Sequence, residues 1–152
     1  MLLHLCNNMS YMNKTITFSK VIKAGFLAGL ISASINTIWN QLGILIMNIS
    51  GLPKGFSVAV VMSSIFPVLL ASIIYFLLIR NFTRGYLLYM FLGVSFMLLS
   101  NFPAFETTLP DGTPTPANFA LLVIPMHFVA GLSALYLIPF KTRNTNKTNI
   151  EI

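Results

Sequence analysis

The sequence predicts an all-α fold: an integral membrane four-helix transmembrane bundle with both ends on the cytoplasmic side (N-in/C-in). Three observations predict it. Of the 152 residues, 56% are hydrophobic and 8% are charged, whereas a soluble domain usually carries about 25% charged residues. The apolar residues fall into four long segments, and the basic residues cluster at one set of segment ends. A chain with so few polar side chains is suited to lipid rather than to water.

The first span is predicted over about 21–45, after a cytoplasmic N-terminal flank of residues 1–19. A span needs roughly 20 residues, and this apolar segment is longer, so two registers remain open. In the first, the membrane core ends near Gln41 and Trp39 lies at the outer headgroup level, which tryptophan prefers. In the second, the helix tilts and reaches Met47.

The other three spans are predicted from the turn residues between apolar segments. A turn rich in Gly and Pro at 50–55 precedes the second span, which covers about 57–79. The third span covers about 86–102 and is stopped by Pro103, and the fourth covers about 116–140.

The fourth span is predicted to begin at Thr115 and Pro116. Threonine accepts hydrogen bonds from the first helical amides, and proline tolerates the first helical position. The four-helix transmembrane domain as a whole is assigned to residues 20–140. The polar residues 141–152, rich in Asn, Thr and Lys, are predicted to form a disordered cytoplasmic tail.

The orientation is predicted from the basic residues, because Lys and Arg in short loops stay on the cytoplasmic side. With four spans, one side receives Lys14, Lys20, Lys23, Arg80, Arg84, Lys141, Arg143 and Lys147. The other side receives Lys54 and the acidic loop residues Glu106 and Asp111. Basic residues placed this way meet anionic lipid headgroups, so the net charge of +6 predicts the lipid bilayer, and not nucleic acid, as the partner.

The positions of the tyrosines predict the same orientation. Tyrosine is enriched at the membrane–water interface. Four tyrosines fall toward the cytoplasmic ends of their spans, as an aromatic belt would place them: Tyr75, Tyr86, Tyr89 and Tyr136.

One face of the first span is small or polar. Steps of three or four residues join Gly25, Gly29, Ser32, Ala33, Asn36 and Asn40. The Gly25–Gly29 spacing permits close approach of another helix. We interpret Gly25, Gly29 and Ser32 as a helix-packing face; the alternative is the wall of a cavity.

A polar layer inside the membrane is the candidate site. His127 lies about ten residues from the outer start of the fourth span, near the midplane at about 1.5 Å per residue. Asn36, Ser95 and Ser64 fall at a similar depth on the other spans. Ionisable residues inside a membrane are site candidates. The alternatives for His127 are a structural hydrogen bond to Asn36 or a serine, or a proton relay, a ligand contact or a metal site.

Metal and cofactor chemistry lacks its usual parts in this sequence. The spans contain one histidine and no Asp or Glu, which gives too few ligands for zinc or haem, and we predict no metal and no cofactor. Cys6, the single cysteine, forms no internal disulfide. Glu106 and Asp111 are either a cation-binding patch or solvated turn acids. No phosphate loop, nucleophile elbow or carboxylate dyad is present, so catalysis is not predicted.

Three short stretches resemble a known family: KAGFLAGL at 23–30 leading to Asn36, LIRNFTR at 78–84, and PMHFVA at 125–130. With them the chain resembles a family of small bacterial four-helix membrane proteins of unknown function, carried under a domain-of-unknown-function label. The resemblance implies a multi-pass protein of the bacterial plasma (inner) membrane and no particular activity. It makes four positions worth testing: Asn36, Arg80, Arg84 and His127.

Three function classes remain open. The first, which we favour because the spans hold one ionisable group, is an accessory or binding component that contacts another membrane protein or a second copy through its small-residue face. The second is a small-molecule or ion carrier with Asn36 and His127 in its path. The third is a membrane enzyme acting on a lipid or quinone, with His127 as acid and base.

Overall fold

The structure is a computed structural model that describes residues 16–109 and 111–144. Within these residues the chain is helical, and its one β feature is an isolated bridge between Thr108 and Pro114. Four helical stretches among these residues are long and apolar enough to cross a membrane, the last two counted through a 3₁₀ and a π-helical turn: Phe18–Met47, Phe56–Asn81, Gly85–Phe105 and Phe119–Arg143. The prediction of an all-helical chain with four helices of spanning length is confirmed.

The helices follow one another as α1 (Phe18–Met47), α2 (Phe56–Asn81), α3 (Gly85–Leu99), a 3₁₀ turn (Phe102–Phe105), α4 (Phe119–Leu132), a π-helical turn (Ser133–Leu137) and α5 (Ile138–Asn144). α1 has 30 residues and is about 45 Å long at 1.5 Å per residue. A hydrocarbon core is about 30 Å thick. Since α1 is continuous past Trp39 and Gln41, its last turns are not a separate surface segment.

Each predicted span differs from its helix by a few residues, and two of these differences arise in the loop between α3 and α4. α3 ends at Leu99 and not at residue 102, because the chain tightens into the 3₁₀ turn of Phe102–Phe105, which contains Pro103. α4 begins at Phe119 and not at residue 116.

The helix start predicted at Thr115 is wrong because this threonine closes the preceding loop. Its amide donates to the carbonyl of Thr107 at 2.9 Å, and its hydroxyl donates to the carbonyl of Glu106 at 2.8 Å. These two hydrogen bonds hold Thr115 in the loop, and the chain enters the helix three residues later, after Asn118 at the N-cap position.

The predicted tail, residues 141–152, begins as helix. α5 continues to Asn144, and Thr142 is buried, with its hydroxyl donating to the carbonyl of Ile138 at 2.9 Å and lying 3.4 Å from the Tyr75 hydroxyl. Packing against α2 therefore overrides a composition that favours disorder. Residues 145–152, and residues 1–15 of the N-terminal flank, lie outside the described residues.

Successive spanning helices of the bundle are antiparallel. Gly25 of α1 approaches Ser72 of α2, whereas Asn40, near the other end of α1, donates to Ser57 near the start of α2. The two helices are therefore antiparallel. The same reasoning makes α4 antiparallel to α1, and it brings the chain's basic ends to one side.

That side is the basic end of the bundle, where the start of α1, the end of α2, the start of α3 and α5 meet. The rings of Phe18 and Phe76 lie 5.3 Å apart there, and the Arg143 guanidinium lies 4.4 Å from the centroid of the Tyr86 ring. Six described basic residues belong to this end: Lys20, Lys23, Arg80, Arg84, Lys141 and Arg143. The opposite end, the loop end, carries Lys54, Glu106 and Asp111.

The core consists of two apolar clusters, one at each end. The basic-end cluster contains Val21, Ala28, Val68, Tyr75, Phe76, Ile79, Tyr89, Ala134, Leu135 and Ile138. The loop-end cluster contains Ile49, Val60, Leu122 and Met126. Tyr75 and Tyr89 are buried against each other, with ring centroids 4.9 Å apart. The aromatic-belt prediction is therefore wrong for these two tyrosines, which pack inside the bundle.

The small face of α1 packs inside the same chain. A Cβ added at Gly25 would lie 2.5 Å from the Ser72 Cβ, and one added at Gly29 would lie 3.3 Å from the Ile65 Cα. In proteins a Cβ atom is essentially never as close as 2.5 Å to a heavy atom of another residue. Glycine at position 25 therefore sets how closely α1 approaches α2.

The π-helical turn is joined to α3 by Tyr89. In a π-helical pattern the donor for the Ala134 carbonyl would be residue 139, which is a proline and has no N–H. The Tyr89 hydroxyl donates to this carbonyl at 2.9 Å instead. A side chain of α3 thus supplies the hydrogen bond that Pro139 cannot.

Candidate functional site

Asn36 connects three helices at one point. Its Nδ2 donates to the Ser64 hydroxyl of α2 at 2.9 Å and to the Met126 carbonyl of α4 at 3.1 Å. Because a carbonyl only accepts, Met126 fixes the orientation of the amide. The side chain is 2% exposed, and its Oδ1 has no hydrogen-bond partner within the described residues.

A second hydrogen bond joins α1 to α4 one turn away. The Trp39 Nε1 donates to the Leu122 carbonyl at 2.9 Å. Asn36 and Trp39 are one turn apart on α1, as Leu122 and Met126 are on α4. The two side chains therefore hold α4 at two successive turns, and the half-buried Trp39 directs its N–H into the bundle.

A cavity of about 160 Å³ lies beside Asn36, between α2 and α4. Four polar side chains line it: Asn36, Ser63, Ser64 and His127. Much of the remaining wall is apolar and includes Phe56 and Phe119, whose ring centroids are 5.9 Å apart. Since Ala59 and Ser63 are exposed, the cavity opens on the surface of the bundle.

The depth of the cavity follows from helix geometry. Ser64 and His127 each lie eight positions after the first residue of their helix, which is about 12 Å at 1.5 Å per residue. Both helices begin at the loop end. The polar groups therefore lie well inside the apolar part of the bundle.

The hydrogens of three of the four polar side chains are already used. Ser64 donates to the Val60 carbonyl at 2.7 Å and accepts from Asn36, and Ser63 donates to the same carbonyl at 3.2 Å. No described residue forms a hydrogen bond with the half-buried His127. A neutral imidazole has one donor and one acceptor, so acceptors predominate among the unused groups of the cavity.

Three of the four residues predicted to form a polar layer meet at this cavity: Asn36, Ser64 and His127. Ser95 does not line it. It lies on α3 between Gly93, which packs against Leu135, and Met97, which packs against Gly131. Ser95 is therefore level with about residue 133, which is about 9 Å nearer the basic end than His127 at 1.5 Å per residue. The predicted depth is wrong for Ser95, and this is why it does not reach the cavity.

Ser63, Phe56 and Phe119 were not predicted as site residues. Ser63 adjoins Ser64 in the sequence but belongs to a different face of α2. The phenylalanines are indistinguishable by sequence from the lipid-facing ones. Only the contact between α2 and α4 identifies these three side chains as cavity residues.

Unsatisfied oxygens recur along α1. In the described structure, Ser32 Oγ, Asn36 Oδ1 and Asn40 Oδ1 are buried without a hydrogen-bond partner. Successive members are four residues apart and share the face that carries Gly25 and Gly29. An unsatisfied buried acceptor costs about 1–3 kcal/mol, so this face stabilises the bundle less than its burial implies.

The loop that carries Glu106 and Asp111 is a tight turn. Asp111 Oδ1 accepts from the Thr113 hydroxyl at 2.6 Å and from the Thr113 amide at 3.0 Å. These two hydrogen bonds, the hydroxyl first, hold the pKa of the Asp111 carboxyl below its ordinary value. This arrangement is that of a turn acid, and the described residues contain no group of three His, Cys, Asp or Glu side chains that would hold a metal.

Arg80 and Arg84 flank the turn between α2 and α3 and are exposed. The Arg80 guanidinium lies 5.7 Å from the centroid of the Phe76 ring one helical turn earlier. Gly85 packs against the Leu78 carbonyl so closely that a Cβ would not fit. The turn is therefore tight, and it directs both arginines outward at the basic end.

Four apolar helices of spanning length, with the charged residues of the described ranges at the two ends, are typical of a multi-pass membrane protein. Comparison of the chain with protein-family models, with curated proteins and with solved structures finds no match. The resemblance to a bacterial four-helix family stays a prediction.

Proposed function

We propose that this protein is a binding component of a membrane, without catalytic activity, whose cavity between α2 and α4 takes a small lipid-soluble molecule. The observation that carries the proposal is the cavity of about 160 Å³ with four polar side chains on an apolar wall. Binding sites for small molecules combine apolar surface with a few polar groups in this way. The opening on the bundle surface gives such a molecule a route from the lipid.

The proposed orientation places both termini in the cytoplasm and the protein in a bacterial plasma membrane. The gathering of six basic residues at one end of the bundle supports this orientation, because basic residues of short loops stay cytoplasmic. The loop end, with Lys54 and the turn of Asp111, then faces outward. The bacterial setting rests on the resemblance alone.

Binding is favoured over catalysis by the isolation of His127. A catalytic histidine is normally oriented by a hydrogen bond from a second group. Among the described residues His127 has no such bond, and no carboxylate lines the cavity. The cavity has groups that recognise a molecule but no pair of groups that would exchange a proton with it in a defined geometry.

Association with another membrane protein, or with a second copy, stays part of the proposal, but it cannot use the small-residue face of α1. Gly25 and Gly29 are covered by α2 of the same chain. A partner would have to contact another surface of the bundle. For this reason the ligand cavity, and not the small-residue face, is now the main support for a binding role.

Native mass spectrometry of the protein released gently from its own host membrane tests the proposal. We expect one small molecule at fixed stoichiometry. The matched control is Ala59→Phe, which places a ring at the exposed mouth of the cavity and leaves the buried hydrogen bonds of Asn36 in place. Loss of the molecule in this variant would support the proposal. A protein that carries only bulk lipid, with no difference between the two forms, would contradict it.

A carrier is the second candidate, and the unsatisfied oxygens of α1 favour it. Ser32, Asn36 and Asn40 hold buried oxygens without hydrogen-bond partners at successive turns, and Asn36 also lines the cavity. Flux into proteoliposomes, lost in His127→Ala while the protein stays folded, would identify a carrier. Flux that survives this change would remove His127 from the path.

A further inference from the structure

The unused hydrogen-bonding groups of the cavity define the kind of molecule that fits it. The hydroxyl groups of Ser63 and Ser64 both donate to the Val60 carbonyl. The amide group of Asn36 donates to the Ser64 hydroxyl and to the Met126 carbonyl. What remains is the hydroxyl oxygen of Ser63, the enclosed amide oxygen of Asn36 and the His127 ring. Acceptors outnumber donors in this set, whose one free donor is the N–H of the neutral His127 ring.

We infer that the ligand is a neutral hydrogen-bond donor the size of a single ring, of the phenol or hydroquinone class. This inference rests on the proposed function and names the ligand class of the same cavity. An accessible acceptor gains a hydrogen bond from a hydroxyl group but none from an ether or a ketone. The ligand hydroxyl donates to His127 or Ser63, and the His127 N–H donates back to its oxygen.

Because the cavity opens on the surface of the bundle, its volume sets the size of the part of the ligand that lies inside it. A cavity of about 150 Å³ with apolar walls holds one benzene molecule, and this cavity measures about 160 Å³. The rings of Phe56 and Phe119 form part of the wall, and aromatic rings prefer tilted or edge contacts with one another. A single aromatic ring therefore matches both the volume and the wall.

The neutrality of the ligand follows from the surroundings. No acidic or basic side chain apart from His127 lines the cavity, and the polar groups lie about 12 Å from the loop end. A charged ligand would lose its hydration there without gaining a counter-ion, which is costly. The class is thus limited to molecules that reach the cavity through lipid in their neutral form.

The test compares phenol with methoxybenzene, which has the same ring but no O–H. The protein in lipid nanodiscs, labelled at its methionine methyl groups, is titrated with each compound, and the Met126 signal is followed by NMR. The same titrations of Ala59→Phe measure the shift that arises from partition into lipid alone. We expect phenol to bind more tightly than methoxybenzene by about tenfold, the ratio that one net hydrogen bond gives.

Two variants assign the acceptor. In His127→Phe with Ser63→Ala, the ratio should fall toward one, because both accessible acceptors are gone. Ser34→Ala, on the exposed face of α1, should keep the ratio of the unaltered protein. Equal binding of the two compounds would overturn the donor class and leave the proposed function standing. Binding of neither compound above the Ala59→Phe level would overturn both.

Discussion

The carboxamide of Asn36 donates to the hydroxyl of Ser64 at 2.9 Å, although the two residues lie on different helices and neither reaches solvent. The same amide group holds the Met126 carbonyl. One buried side chain thus fixes α1, α2 and α4 relative to one another, at the edge of the cavity that we propose to be functional.

The bond between Asn36 and Ser64 should appear as a coupling energy. In a double-mutant cycle with Asn36→Ala and Ser64→Ala, we expect the two losses in free energy of unfolding to be coupled by about 0.5–2 kcal/mol, the range for polar contacts between membrane helices. Ser63 is the matched control, because it adjoins Ser64 but does not contact Asn36. Unfolding in mixed detergent measures each variant. The structure would be contradicted if the losses from Asn36→Ala and Ser64→Ala simply added. It would also be contradicted if Ser63→Ala were coupled to Asn36→Ala as strongly as Ser64→Ala is.

Gly25 should not accept a larger side chain. Gly25→Leu forces atoms into Ser72, and we expect a loss of about 1–3 kcal/mol or more in the free energy of unfolding. Ser34→Leu adds the same side chain to the exposed face of the same helix and should be close to neutral. Thermal unfolding in detergent compares the two. If Gly25→Leu were as stable as Ser34→Leu, α1 and α2 would not pack as described.

Tyr89 should stabilise the fold through the Ala134 carbonyl. Tyr89→Phe leaves this buried acceptor without a donor, so we expect a loss of about 1–3 kcal/mol in the free energy of unfolding. Tyr136→Phe, at an exposed position, should change little. Replacing Pro139 with Ala restores a main-chain N–H at position 139, and should therefore reduce the cost of Tyr89→Phe. No such rescue would mean that Pro139 is not the reason the tyrosine is needed.

The turn at Asp111 should depend on pH. Its carboxylate accepts two hydrogen bonds from Thr113, so the folded-state pKa lies below the ordinary value of about 3.9. The turn is therefore stabilised fully at pH values above the ordinary pKa, and this contribution disappears as the pH falls through the lowered pKa. The Thr113 amide, followed by NMR, should titrate below about pH 3.9. Titration above that pH, or titration that persists in Asp111→Asn, would contradict the assignment.

The two ends of the bundle should be accessible from opposite sides of the membrane. In a Cys6→Ser background, Lys54→Cys should react with a membrane-impermeant thiol reagent in intact cells. Thr83→Cys, in the exposed turn at the basic end, should react only after permeabilisation. The reverse pattern would place the termini outside, and labelling of both positions in intact cells would rule out the four-span arrangement.

Hydropathy and charge predicted the spans and the basic end because both are local properties. Each span needs only its own apolar residues to satisfy its backbone in lipid, and each loop keeps its own Lys and Arg. The role of Thr115, in contrast, depends on a contact that is not local. Its residue type is right for a helix start, but a hydrogen bond to Glu106, nine residues earlier, commits it to the loop.

The sequence by itself determined that Asn36, Ser64 and His127 lie at a similar depth, since depth is counted along a single helix. Asn36, Ser64, Ser95 and His127 were equivalent by that count. Only the tertiary structure decided which of them meet, because helix neighbours and rotations depend on contacts such as Gly25 against Ser72. Those contacts bring Asn36 to Ser64, place Ser95 level with about residue 133 and away from the cavity, and open the cavity beside His127.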